Sequence, residues 1–320
     1  MEIRTLDGDA PATIAALLPG FRDTMSHELP GDPPVTEALL ARLLQRRHGA
    51  DRIVLAAFED ERPAGVVKLG LDLGDPTGPG HGSLWVFPGF RRRGAGRALA
   101  EAAQAALRDR GRELLLVDAP RTDAAEAFAT GLGARRTSVT MRNRLLPAGP
   151  ARAQLEAAAR RPVPGFGLRR WSGRCPDHLV QGYARAWGAL EGQANGQARM
   201  RNPSVQDVRA REAEALRAGH RQYVVAAVAD GGAEVVAYST LFVRDSPMAD
   251  TGETLVLPHL RRRSLATWLK AELLLQAARE NEQLALVQVF NDITDTAVVA
   301  LNKKLGFTAD SYWSTYALKA

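Results

Sequence analysis

Val256-Leu257-Pro258-His259-Leu260-Arg261-Arg262-Arg263-Ser264-Leu265-Ala266 decides how this chain is read, because nearly the same words occur earlier as Val86-Phe87-Pro88-Gly89-Phe90-Arg91-Arg92-Arg93-Gly94-Ala95-Gly96. Val86 and Val256, Pro88 and Pro258, and Arg91 and Arg261 all stand 170 residues apart. Downstream, Gly131-Leu132-Gly133 returns in Lys304-Leu305-Gly306-Phe307 at an offset of 173. Two anchors at almost one offset are an internal duplication.

Each copy predicts a strand, a turn with proline, three arginines, a loop of small residues and a helix. That order makes an anion cradle. The first N–H groups of a helix have no partner and carry partial positive charge. Small residues let a ligand approach the backbone, and phosphate is the natural guest. Arginine adds forked donors that match phosphate oxygens.

The pattern resembles the acyl-CoA signature of the GNAT acetyltransferase superfamily, Arg/Gln-x-x-Gly-x-Gly/Ala. Arg91-x-x-Gly94-x-Gly96 matches it in full, and Arg261-x-x-Ser264-x-Ala266 departs from it at Ser264. The resemblance extends over nearly the whole chain and is to bacterial tandem-GNAT proteins. It implies an α/β fold of two GNAT domains, each a mixed, mostly antiparallel sheet flanked by helices. The expected division is residues 1–147, a linker at 148–165 with a helical piece at 151–160, and residues 166–320. It implies acetyl-CoA, or another acyl-CoA, as cosubstrate. In the first half the implied contacts are Leu84-Trp85-Val86 and Arg91-Arg92-Arg93-Gly94-Ala95-Gly96-Arg97. In the second they are Leu255-Val256-Leu257, Arg261-Arg262-Arg263-Ser264-Leu265-Ala266-Thr267 and Asn291. The pantetheine arm is expected in a gap between two splayed strands, 84–87 and 113–118 in one half, 253–257 and 284–290 in the other.

Composition agrees with a globular protein of two domains: 320 residues with 24% charged side chains. Net charge is +6, and two cradles with three arginines each explain much of the basic excess. A nucleic-acid surface would need a broad basic face interleaved with aromatics, and none is visible. The single cysteine, Cys175, excludes an intramolecular disulfide and a CxxC metal site; no metal is expected. The start, Met1-Glu2-Ile3-Arg4, reads as a strand rather than a signal peptide, and no apolar run approaches membrane-spanning length. The expectation is a cytoplasmic protein, monomer or homodimer.

Strand and helix patterns alternate in the same order in both halves. In the first, strands are expected at 2–6, 52–58, 65–71, 84–87, 113–118 and 137–146, with helices at 11–18, 36–46, 97–110 and 123–130. Residues 74–82 read as a Gly/Pro-rich loop that carries His81. In the second, strands are expected at 167–171, 223–229, 234–243, 251–257, 284–290 and 311–318, with helices at 176–190, 205–218, 265–279 and 295–305.

Acyl transfer to an amine needs a deprotonated amine, an aligned thioester, stabilisation of developing oxyanion charge and a route for the thiol proton. GNAT enzymes commonly carry a carboxylate on the fourth strand and a tyrosine on the helix before Leu-Gly-Phe. The first half has Ser83 and Ala129 at those places, so it is expected to bind CoA without catalysing. The second offers Glu253 in Asp250-Thr251-Gly252-Glu253-Thr254-Leu255-Val256. Glu253 is the favoured base and Asp250 the alternative. Their strand parity differs, so one of the two is expected to face the cleft. Asn302 stands where the tyrosine would be; an amide can hydrogen-bond sulfur but is no acid. Tyr183, Trp187, Glu191, Tyr238, Tyr312, Trp313 and Tyr316 are candidates for an acceptor pocket, and 188–203 for an acceptor loop. The resulting expectation is an N-acetyltransferase for the amine of a small molecule, natural products and antibiotics included. A mycothiol-synthase-type transferase and a non-catalytic acyl-CoA-binding protein are the alternatives.

Overall fold

The structure is a computed structural model, and it describes all residues except 47–48, 192–202, 218, 231 and 245. It divides into two compact units. The first is Met1–Thr140 with Ser311–Ala320; the second is Met141–Asp310.

Unit 1 holds β1 (Glu2–Leu6), β2 (Ala50–Glu59), β3 (Arg62–Asp72), β4 (Gly80–Val86), β5 (Leu114–Pro120) and most of β12 (Thr308–Lys319), in that spatial order. Its helices are α1 (Pro11–Glu28), α2 (Glu37–Leu44), α3 (Ala95–Arg108) and α4 (Asp123–Gly131). The strand alternation of β2 serves two cores at once. Ile53, Leu55 and Ala57 pack with Leu99, Ala103 and Leu107 of α3. Val54 and Ala56 pack with Leu17, Phe21 and Leu40 of α1 and α2. A sheet covered on both faces needs apolar residues at both parities, which is why 53–57 contains no polar residue.

Unit 2 holds the end of β6 (Arg135–Leu145), then β11 (Leu286–Asp292), β10 (Met248–Val256), β9 (Val235–Val243), β8 (Arg221–Ala229) and β7 (Phe166–Ser172) across its sheet. Its helices are α5 (Ala151–Ala159), α6 (Asp177–Glu191), α7 (Val205–Arg217), α8 (Leu265–Glu280) and α9 (Thr296–Lys304). Tyr223, Val225 and Ala227 of β8 face α8, and Val224, Ala226 and Val228 face α6.

Two expected boundaries are corrected. The last segment, Ser311–Ala320, belongs to unit 1, where Trp313 to Lys319 pair antiparallel with Pro120 to Leu114 of β5. In exchange, Met141–Leu145 completes unit 2: Arg142 Nε donates to Gln288 Oε1 at 2.7 Å and Asn143 Nδ2 to Asn291 Oδ1 at 3.3 Å. Backbone ladder bonds do not tell one closing strand from the other, so side chains such as Leu318 in the unit-1 core choose between them. The supposed linker is likewise not a tether. The helix expected at 151–160 forms as α5, and Ala151 and Leu155 bury it in the same core as α8.

Candidate active site

Both cradles are built, and by the same local devices. After β4 and β10 the chain makes a one-turn 3-10 helix, Pro88–Phe90 or Pro258–Leu260. The leading arginine then turns back: Arg91 Nε donates to Val86 O at 3.2 Å, and Arg261 Nε to Val256 O at 3.3 Å. These two residues brace the turn rather than reach out from it. Arg92 and Arg262 take φ 63° and 64°, and the helix N-caps Gly94 and Ser264 take φ 89° and 65°. The departure at Ser264 therefore leaves the cradle's shape intact. A left-handed non-glycine residue costs roughly 1–2 kcal/mol and persists where the surroundings impose it. A Cβ at Gly94 would meet nothing within 4 Å, so the N-terminus of α3 opens on free space. The N–H groups of residues 95–97 and 265–267 are those left unpaired by helix geometry. Exposed Arg262 and Arg263 have no ion pair among the described residues, whereas Arg91 and Arg93 are tied to Glu28 and Glu59. The residues present thus fit the phosphates of an acyl-CoA.

Next to each cradle two parallel strands part. β4 and β5 are paired only from Gly80 opposite Leu115 to Gly82 opposite Val117. β10 and β11 are paired only from Met248 opposite Leu286 to Asp250 opposite Gln288. The Thr251 hydroxyl donates to Gln288 O at 3.3 Å where the gap begins. Beyond it lie facing strand edges with unused backbone donors and acceptors, suited to an extended amide-bearing arm.

The acids stand on a β-bulge found in β10 but not β4. On β9, Leu241 faces Thr251 and Ser239 faces Thr254, so Gly252 and Glu253 together oppose Thr240. The register of β3 with β4 runs unbroken from Gly65–Val86 to Gly70–His81. A bulge adds one residue and shifts parity. That corrects the expectation that Asp250 and Glu253 lie on opposite faces. Both point to the α6/α7 side, as Leu255 does, while Ala249 points to the α8 side. Gly252 is required: a Cβ there would collide with Thr240 Oγ1 and lie 3.0 Å from Phe242.

Neither acid is a bare carboxylate. Arg211 Nη2 of α7 donates to both oxygens of Glu253, at 2.6 and 2.8 Å, and Thr240 Oγ1 donates to Oε2 at 3.2 Å. Burial opposes ionisation of Glu253, but the Arg211 charge and these bonds outweigh it and hold its pKa below the ordinary carboxylate range. Arg211 lies 5.0 Å from the Trp187 ring and 5.7 Å from that of Phe242. Asp250 is clasped by Arg244, with Nε and Nη2 each at 2.6 Å, and accepts from Gln288 Nε2 at 2.7 Å. Gln288 in turn accepts from buried Arg142. Asp250 thus anchors a network that spans three strands.

Asn302 is 1% exposed and therefore does not face the cleft. Its Oδ1 accepts from Lys270 Nζ of α8 at 2.6 Å, and its Nδ2 donates to Asn291 Oδ1 at 2.7 Å. Arg211 and Lys270 carry no motif, and the sequence reading passed over both. Lys270 has one legible signal, a lysine inside the apolar face formed by Leu269, Leu273 and Leu274. Of the aromatic candidates, Tyr183 and Tyr238 are buried edge to face at 4.9 Å. The Tyr183 hydroxyl has no hydrogen-bond partner among the described residues. Tyr312, Trp313 and Tyr316 belong to unit 1. The Glu191 side chain and most of the candidate loop, 192–202, lie outside the described residues.

In unit 1 the corresponding face is filled with rings. Phe21 of α1 lies 5.1 Å from Trp85 and 5.8 Å from Phe87. His81 is on β4, opposite Gly70, rather than in a loop. Phe128 of α4 sits 3.1 Å from where a Cβ on Gly96 would be. Cys175 is wholly buried; burial first, and Glu212 second, push its thiol up to about 12, as for an inert structural cysteine.

Residues 18–134 match the model of the acetyltransferase (GNAT) family. The chain is 34% identical over 197 residues to mycothiol acetyltransferase of Actinosynnema mirum, a match covering 59% of either chain. Its fold is similar to that of a tandem GNAT protein from the clavulanic acid biosynthesis pathway: TM-score 0.84, 22% identity, 99% of this chain and 98% of that one. A GCN5-related N-acetyltransferase from Sphaerobacter thermophilus superposes with TM-score 0.66 at 15% identity, over 99% and 95% of the two chains. Among the described residues no helix is long and apolar enough to cross a membrane. With two cradles, two splayed strand pairs and a matching fold over the full length, the chain has the fold of a tandem GNAT protein, and its residues 18–134 match the GNAT family itself.

Proposed function

We propose that the chain is an acyl-CoA-dependent N-acyltransferase, with acetyl-CoA the first candidate, acting on the amine of a small molecule. Unit 2 is the catalytic unit and unit 1 a CoA-binding partner without chemistry of its own. One observation carries the reading: in unit 2 an open cradle and a parted strand pair adjoin a bulge that sets an ionised carboxylate, Glu253, on the α6/α7 face. The bound acyl-CoA supplies an activated acyl thioester. The cradle residues 261–267 hold its phosphates. Glu253 attracts the acceptor's ammonium group and orients its nitrogen; the ammonium proton is lost to solvent, the free amine forms the C–N bond as the C–S bond breaks, and the CoA thiolate leaves to be protonated by solvent. Because Arg211 lowers its basicity, Glu253 takes a proton only as the attacking nitrogen gains positive charge and its N–H becomes acidic. Asp250, spent on Arg244 and Gln288, is assigned a supporting place.

The likeness to a mycothiol acetyltransferase favours a mycothiol-type acceptor as a second class to test. The decisive experiment measures CoA release from acetyl-CoA against a library of small amines, mycothiol precursors included. Calorimetry alongside it counts CoA equivalents in the wild type and in Gly94→Glu, which places a carboxylate at the unit-1 cradle. The expected result is amine-dependent release, and one equivalent fewer in the variant. Unchanged stoichiometry would remove unit 1 as a CoA site. CoA binding without release for any amine would favour a binding protein.

A further inference from the structure

A lysine that is 3% exposed in the core of α8 needs a reason, since burying a charged ammonium is costly and methionine would fill the same slot. The reason lies in what its ammonium touches. Lysine has three donors and no acceptor. The contact at 2.6 Å must therefore be with the oxygen of the Asn302 amide, which fixes an orientation that is otherwise a matter of assignment. The Asn302 nitrogen then faces Asn291, and it donates to Oδ1 there at 2.7 Å. Asn143 Nδ2 donates to the same oxygen at 3.3 Å and to Met141 O at 3.3 Å. With its oxygen occupied from two sides, Asn291 turns its NH2 group away, and that group has no partner among the described residues.

Asn291 is half-buried on β11, three residues beyond Gln288, the last residue paired with β10. It shares the parity of Val289, which packs in the core of α8. Its side chain is therefore on the cradle side of the parted strands. We propose that Lys270 is a positioning residue: through Asn302 it fixes the polarity of the amide chain, so that Asn291 offers N–H donors to a carbonyl oxygen of the acyl-pantetheine arm in unit 2. This rests on the reading that the unit-2 cleft takes acyl-CoA. The other repeat supports it independently. Ala100 stands at the α3 position equivalent to Lys270 and Ala129 at that of Asn302, both buried. The two polar residues are present together or absent together. The Phe307 ring, 5.3 Å from Nζ, is the remaining support of the ammonium, and burial alone lowers the Lys270 pKa to about 8.

The test uses the full chain with Gly94→Glu, so that binding reports on unit 2. Affinities for acetyl-CoA and for adenosine 3′,5′-bisphosphate, which has no pantetheine arm, are measured for the parent, Lys270→Met, Lys270→Arg and Asn302→Asp. The last keeps the contact to Lys270 and removes the donor to Asn291, so it reads the same link in a protein whose core is less disturbed. Removing a hydrogen bond that nets about 1 kcal/mol predicts acetyl-CoA binding weakened roughly fivefold in Lys270→Met and Asn302→Asp. Affinity for the bisphosphate should not change, and Lys270→Arg should restore most of the loss. In parallel, the side-chain 15N–1H signals of Asn291, assigned by their absence in Asn291→Asp, should shift on adding acetyl-CoA but not on adding the bisphosphate. Full acetyl-CoA affinity in both Lys270→Met and Asn302→Asp, or Asn291 signals indifferent to acetyl-CoA, overturns the proposal alone. No acetyl-CoA binding by the parent overturns the acyl-CoA reading of unit 2 and this proposal with it.

Discussion

The two units have the same cradle and different opposite faces. In both, a braced arginine, a left-handed N-cap and a parted strand pair recur, with closely similar backbone angles and the same arginine–carbonyl bond. On the α1/α2 side of unit 1 the strand carries Ser83 and Trp85, and the rings of Phe21, Trp85 and Phe87 fill the space. On the α6/α7 side of unit 2 a bulge lifts Glu253 into an ion pair with Arg211. On the proposed reading, the duplication keeps the part assigned to the cosubstrate while the face assigned to the acceptor diverges. The cradle uses mostly backbone groups, which tolerate side-chain change; the acceptor face is all side chain.

The comparison breaks most visibly at Glu253. Glu253→Gln keeps the shape and removes the charge, and turnover should fall about 10²–10⁴-fold, the range for a positioned general base. Part of the loss should return as pH rises and free amine accumulates. Asp250→Asn, which disturbs the Arg244 network, should act mainly on stability, read by thermal melting with turnover per folded molecule nearly kept. If Asp250→Asn abolishes turnover and Glu253→Gln does not, the two acids exchange roles.

A second contrast is the buried lysine of α8 against Ala100 of α3. The folded pKa of Lys270, about 8, lies below the ordinary lysine value of 10.5. The folded state therefore binds fewer protons than the unfolded state between those pH values, and Lys270 favours folding more as pH rises through that window. Relative to Lys270→Met, the wild type should gain up to roughly 3 kcal/mol from pH 8 to 10.5, by 1.36 kcal/mol per unit. Parallel denaturant curves across that window would show no such charge effect.

Gly252→Ala tests whether the bulge is what separates the units. The added Cβ meets Thr240 and Phe242, so about 1–3 kcal/mol of stability should be lost to overpacking. Turnover should fall with it as Glu253 is displaced. Gly82→Ala in the regular β4 is the control: its Cβ would come closest to the flexible methyls of Leu115 and Leu69, at 3.0 and 3.1 Å, so side chains rather than backbone have to give. The smallest effect is expected at the N-cap. Ser264→Gly relieves a left-handed serine and should stabilise unit 2 by about 1 kcal/mol, without loss of CoA affinity. A destabilised variant would mean the Ser264 side chain has a partner of its own.

The features legible in the residue order are the local ones. Strand, turn, arginine run and helix lie within a dozen residues of each other, so the order of residue types was enough to place both cradles, the duplication and the α/β class. The helix after each cradle and the absence of an acid at Ser83 were legible for the same reason. The remaining features depend on partners far away in the chain. The bulge exists because β10 is paired with β9, and it reverses the parity on which Asp250 and Glu253 were distinguished. Arg211 and Glu253 are 42 residues apart, and nothing in a charged amphipathic helix marks one arginine among several. Lys270, Asn302, Asn291 and Asn143 come from four elements, and only packing sets which atoms meet. The closing strands exchange units because backbone hydrogen bonding is the same for either copy, so their place is settled by side-chain burial, which a linear reading of two repeats does not see.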